Sequence, residues 1–136
     1  MLVVAFALAA CGAAPSKAPT LGISNGTPLV VTLFVNGTAV GTANPGIALT
    51  PLDFASLPAL PWAVEARSAS GRVLTSMQVA VDSVTATTDS GGNVSTSGAI
   101  GRVDLSCGRL TIWAGYSPPS GPVPPSPAGS PGDCVP

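Results

Sequence analysis

Three cysteines, Cys11, Cys107 and Cys134, carry the most specific chemistry in this 136-residue chain. A thiol can be acylated, oxidised to a disulfide, used as a nucleophile or bound to a metal. Histidine is absent. That removes Ser-His and Cys-His nucleophile pairs and the commonest metal ligand together, and the sequence points to no cofactor and no metal site. Carboxylates remain. Asp53 and Glu65 would form a glycoside-cleaving pair only if the fold brought them into one cleft, and nothing in their spacing does so. Asp82, Asp89 and Asn93 lie near one loop around Gly91-Gly92. Their spacing is not that of an EF-hand, and they read as a solvated loop rather than a Ca²⁺ site. Trp62, Trp113 and Tyr116 supply most of the aromatic surface. They could stack on a sugar or anchor a partner; alternatively Trp113, beside Ile112, fills the core or packs under the C-terminal tail.

The segment that must position Cys11 is apolar: Leu2-Val-Val-Ala-Phe-Ala-Leu-Ala-Ala10. At about 1.5 Å per helical residue it is too short to cross a hydrocarbon layer of about 30 Å, and it matches the core of a signal peptide. Leu8-Ala9-Ala10-Cys11 resembles the lipobox of bacterial lipoproteins, a Leu followed by two small residues and Cys. The resemblance implies cleavage before Cys11, a diacylglyceryl group on its thiol, export, and attachment to the extracytoplasmic face of a membrane. Each buried CH₂ contributes roughly 0.8 kcal/mol, so two or three acyl chains hold firmly. Signal peptides normally open with Lys or Arg, and none precedes Lys17; the expectation is that the natural start lies upstream of Met1. An ordinary secretory peptide and a buried apolar strand are the alternatives. Residues 11–20 hold the lipidated cysteine and a Pro/Ala/Ser/Lys tether.

Composition narrows the classes of partner. Five Lys and Arg against six Asp and Glu give a net charge of -1. Five scattered cations cannot form the basic stripe that nucleic acid requires, nor a polybasic contact with anionic lipid. Only 8% of residues are charged and 46% are hydrophobic, mostly Ala, Val and Leu, so the middle of the chain can bury a real but small core.

Residues 21–116 carry a β pattern and are expected to form one domain. Leu29, Val31, Leu33 and Val35 alternate with Val30, Thr32 and Phe34, and Asn36-Gly37 supplies a tight turn into Thr38–Thr42. A short edge strand is expected at Ile47–Thr50. Pro51, Pro58 and Pro61 then mark a crossing loop, with Leu52, Phe54, Leu57 and Leu60 capping an open end of the core. A second hairpin, Trp62–Ser68 with Arg72–Val81, turns at Ser70-Gly71, and Val73, Met77, Val79 and Val81 are its expected buried set. Thr85–Gly98 reads as a loop or irregular hairpin. The last pair, Ala99–Ser106 and Arg109–Ala114, is expected to turn at Cys107-Gly108 and to carry Arg102, Asp104 and Arg109 as a surface ion-pair group. Six to eight short strands without helical period predict an all-β, small antiparallel sandwich. The pattern is similar to immunoglobulin-like sandwiches, although the Cys…Trp…Cys arrangement of antibody domains is missing.

Residues 117–136 contain eight prolines, favouring extended polyproline II. With Cys11 given to lipid, Cys107 and Cys134 remain as a pair. An exported protein meets an oxidising environment, so a disulfide tying the tail back is preferred over a reactive thiol or metal site. Such a loop contributes roughly 3–4 kcal/mol in the chain-entropy account. PxxP spacings in the tail are the weaker alternative, as ligands for mainly intracellular domains. Asn25, Asn36 and Asn93 stand in Asn-x-Ser/Thr triplets, which would be glycan acceptors only in a eukaryotic secreted protein. The sequence thus predicts a membrane-anchored envelope lipoprotein, a non-catalytic binding or structural module for protein or carbohydrate. A secreted, non-lipidated adhesin or inhibitor, or a carboxylate hydrolase, are the other readings.

Overall fold

The computed structural model describes residues 19–48, 50–51, 57–116 and 130–135. Cys11, the apolar segment before it, Asp53, Leu52, Phe54 and residues 117–129 lie outside these.

The described chain is all-β. Its strands are β1 Thr20–Asn25, β2 Val31–Val35, β3 Thr38–Ala43, β4 Thr50–Pro51, β5 Trp62–Arg67, β6 Val73–Val79, β7 Ala86–Thr88, β8 Val94–Thr96, β9 Gly98–Leu105 and β10 Gly108–Gly115. Two four-stranded antiparallel sheets, β4-β1-β10-β9 and β3-β2-β5-β6, form the sandwich, and β7-β8 stands apart as a small hairpin. The order β3-β2-β5-β6 is that of the C′CFG sheet of immunoglobulin-like sandwiches, and β1 with β4 stand as strands B and E do. The departure lies on the other side of β1, where strand A would pair. There β10, from the C-terminal hairpin, takes the place.

Alternation explains the core. Leu33, Val35, Val64 and Ala66 face inward from one sheet, and Leu21, Ile23, Leu110 and Ile112 from the other, all nearly inaccessible. The first turn is as expected: Asn36 and Gly37 both have positive φ, 50° and 83°, the requirement of a two-residue turn matched to strand twist. Leu57 and Leu60 pack partly buried against the core, as capping residues should.

Three details differ from expectation. Val73 and Val81 are 48% and 66% exposed. The β5–β6 register shifts between Ala66 and Arg67, so that Ala66 pairs with Thr75 but Arg67 with Val73. The extra residue turns Val73 to the outer face, and Val81 has left the strand for a 3-10 turn at Val81–Ser83. The edge strand is Thr50–Pro51 rather than Ile47–Thr50, with proline at an edge where no ladder N–H is demanded. The last hairpin turns at Ser106-Cys107, because Gly108 already pairs with Leu105.

Asn25 pins the sheets together. Its amide donates to the carbonyls of Leu29 (2.7 Å), Ala43 (3.2 Å) and Asn44 (3.3 Å). Its side-chain oxygen accepts from Thr27 N (3.1 Å) and Thr27 Oγ1 (2.7 Å). A fully buried carboxamide is tolerated only when satisfied in this way.

Candidate functional site

The cysteine pair forms one end of the molecule. Cys107 and Cys134 are disulfide-bonded with Cα atoms 6.0 Å apart. The surrounding contacts explain why the chain returns here. Asp133 accepts from Ser106 N (3.0 Å) and Ser106 Oγ (2.6 Å) through one oxygen, and from Ser130 N (2.7 Å) through the other. These hydrogen bonds, those from Ser106 foremost, hold the Asp133 carboxyl below the usual aspartate range. Cys107 N donates to Cys134 Sγ at 3.0 Å. Arg72, in the β5–β6 connection, donates to the Asp133 carbonyl. Residues 130–134 therefore bridge the β9–β10 turn of one sheet to the β5–β6 turn of the other.

The three predicted aromatic residues are not brought together. Trp62 points inward from β5, is 1% exposed, and donates its indole N–H to Pro58 O at 2.8 Å. Tyr116 follows β10 and packs, partly buried, against the core. Trp113 is on the outer face of β10 yet is also 1% exposed. Its ring lies over Gly22, its partner across β1–β10, where an added Cβ would run into the indole. Its Nε1–H has no hydrogen-bond partner among the described residues. In this conformation Trp62 and Trp113 present no ring at the surface.

The open face that does carry an aromatic ring is the outer face of β3-β2-β5-β6. The Arg67 guanidinium stands 4.4 Å from the centroid of the Phe34 ring, within cation–π range. Its Nε also donates to Glu65 Oε2 at 2.8 Å. The Arg67 and Glu65 side chains are 32% and 35% exposed. Alternation alone sets Phe34 on the side of its strand opposite Leu33 and Val35, and Arg67 on the side opposite Val64 and Ala66. It does not join them, because the β2–β5 register that does so, Thr32 with Arg67 and Phe34 with Glu65, is long-range. A ring, a cation and a carboxylate in one flat patch can stack on and hydrogen-bond a ligand.

The remaining polar groups are engaged locally. Asp89 accepts from Gly91 N and Asn93 N (both 2.9 Å) and from Asn93 Nδ2 (2.9 Å). The Asn93 side chain first, then its backbone N–H, lowers the Asp89 pKa. The carboxylate thus closes its own loop, and Asp82 lies in the separate 3-10 turn. Among the described residues no three His, Cys, Asp or Glu side chains cluster as metal ligands would. Arg102 and Arg109 both reach Asp104, at 2.8 and 2.7 Å, forming the expected ion-pair group and lowering the Asp104 pKa through Arg102 chiefly and Arg109 next. Of the three Asn-x-Ser/Thr asparagines, Asn25 is buried, and Asn36 accepts from Ala63 N at 2.8 Å to hold its turn. Glu65 is paired with Arg67.

Comparison with protein families, with characterised proteins and with solved structures returns no match.

Proposed function

We propose that this chain is a lipid-anchored module of the bacterial cell envelope, exported by residues 1–10, held at the membrane through Cys11, and engaged in non-catalytic binding of envelope protein or carbohydrate. One observation carries the reading. Cys107 and Cys134 are bonded to each other, so the odd cysteine of the three is the one behind Leu8-Ala9-Ala10. The disulfide suits an oxidising compartment outside the cytoplasm. The patch of Phe34, Glu65 and Arg67 supports a binding role on the side of the sandwich away from the disulfide-bearing sheet.

Intact-mass analysis of protein recovered from membranes tests the anchor. A diacylglyceryl thioether on Cys11, with Cys11→Ser releasing the chain into the soluble fraction, is the expected result. A mature protein that begins beyond Cys11 and carries no lipid would instead identify a secreted, non-lipidated protein. For the binding role, affinity capture from envelope extracts is expected to recover a partner that is lost with Phe34→Ala and Arg67→Ala together. Recovery of no partner, beside a measurable hydrolase activity, overturns the non-catalytic reading.

A further inference from the structure

The chain has four asparagines, Asn25, Asn36, Asn44 and Asn93. An asparagine side chain can be attacked at Cγ by the backbone nitrogen of the next residue, so that residue sets the chemistry. Asn44 precedes Pro45, which has no N–H to give up. Asn93 precedes Val94, whose branched side chain crowds the attacking nitrogen, and its amide is held by Asp89 Oδ2 at 2.9 Å. Asn25 and Asn36 each precede a glycine, which has no Cβ to hinder the approach. By sequence these two pairs are equally reactive.

The fold makes them unequal. Asn25 is 0% exposed, and its amide donates to the carbonyls of Leu29, Ala43 and Asn44. Gly26 N, the nucleophile, is itself committed to Arg109 O at 2.8 Å. A Cβ at Gly26 would lie 2.9 Å from that same oxygen, so this peptide is packed against the neighbouring strand. Reaction there requires the sandwich to open. Asn36 stands in the exposed β2–β3 turn. Its amide donates to Pro61 O at 3.3 Å, and its Oδ1 accepts from Ala63 N at 2.8 Å. A Cβ at Gly37 would meet nothing within 4 Å, so solvent reaches the peptide that must react. Exposed turns of this kind open locally, without loss of the core.

We infer that Asn36 is a modification site: in the folded protein it converts to aspartyl and isoaspartyl forms, while Asn25 keeps its amide. Gly37 N loses its proton to solvent base and bonds to Asn36 Cγ. The Cγ–Nδ2 bond breaks, and Nδ2 leaves with a solvent proton as ammonia. Water then opens the cyclic imide at either of its carbonyls. Water is consumed and ammonia released, with no change in oxidation state. Opening at Cγ restores the ordinary backbone and leaves a carboxylate. That group can still accept from Ala63 N but has no N–H for Pro61 O. Opening at the main-chain carbonyl routes the backbone through Cβ and Cγ. The added atom does not fit a two-residue turn with φ values of 50° and 83°. Either product adds a negative charge to the end of the sheet that carries Glu65 and Arg67.

The test is incubation of the full, oxidised chain at mildly alkaline pH, both folded and in guanidinium chloride. Peptide mass spectrometry follows each asparagine, and enzymatic methyl transfer scores isoaspartate. In guanidinium chloride Asn25 and Asn36 are expected to convert at similar rates. In the folded chain Asn36 is expected to keep at least about a tenth of that rate, the factor that giving up an exposed hydrogen bond or two allows. Asn25 is expected to be at least about a hundredfold slower than Asn36 there, because its reaction waits on opening of the core. A folded chain in which Asn36 is as inert as Asn25 overturns the inference, since the turn would then open only with the whole domain. So does a folded chain in which Asn25 or Asn93 converts ahead of Asn36.

Discussion

The two sheets are alike inside and unlike outside. Each sends alternating Val, Leu, Ile and Ala into a common core. On the outer face of β3-β2-β5-β6, Thr32, Phe34, Ala63, Glu65 and Arg67 are partly exposed, a solvated surface with one ring under a guanidinium. On β4-β1-β10-β9 the corresponding central positions, Gly22, Thr111, Trp113 and Gly115, are buried. The difference shows that one sheet is open on its outer face, whereas the other is buried on both faces along residues 110–115 of β10 and at Gly22 of β1. It also separates roles: an aromatic residue on the first face is available to a partner, whereas one on the second is part of the packing.

The sharpest way to break this contrast is to remove the ring from each face. Trp113→Ala is expected to cost about 3–5 kcal/mol, the range for deleting a buried indole. Phe34→Ala is expected to cost about 1 kcal/mol, near the value of a half-exposed cation–π pair. Urea titrations of both variants check this, and equal losses would dissolve the distinction between the faces. Next in size is the tie itself. Cys107→Ser with Cys134→Ser is expected to lose roughly 3 kcal/mol in the same assay. A loss near zero would mean that residues 130–134 stay docked without the bond. Gly22→Ala is expected to follow at about 1–3 kcal/mol, since the added methyl meets the indole and the ring must shift in a packed layer. Full stability in that variant would show that the indole has an alternative seat.

Much of this architecture is legible in the sequence where the signal is local. Asn36-Gly37, the alternation through Leu29–Val35 and Trp62–Arg67, and the pairing of Cys107 with Cys134 all rest on neighbouring residues or simple cysteine arithmetic. β1 was harder to read, because Gly22 interrupts its apolar alternation, and the reason for that glycine lies across the sheet at Trp113. Asn25 shows in the sequence only as part of an Asn-x-Ser/Thr triplet, yet its amide is the pin between sheets; carbonyls 18 and 19 residues away leave no local trace. The inward set of β6 failed at Val73 because one bulge reverses every side chain beyond it. The patch at Phe34, Glu65 and Arg67 depends on strand register in the same way.

The smallest expected effect concerns acid, and it also falls on the β9–β10 side. Hydrogen bonds from Ser106 lower the Asp133 pKa in the folded chain, so the folded state favours the ionised form. That contribution is complete above the ordinary aspartate range and is lost as pH falls below it, through the lower folded value. Because Asp133 is only partly buried, the effect is small, but its direction is fixed. In urea titrations of the oxidised protein, Asp133→Asn is expected to lie below the unmodified chain at pH 5, and the gap is expected to narrow as pH falls below the ordinary aspartate range. A gap that stays constant across this interval would mean that the carboxamide and carboxylate hold Ser106 equally, and that charge plays no part in fixing residues 130–134 to the β9–β10 turn. A gap that narrows would show that the ionised Asp133 carboxylate itself contributes to fixing residues 130–134 to the β9–β10 turn.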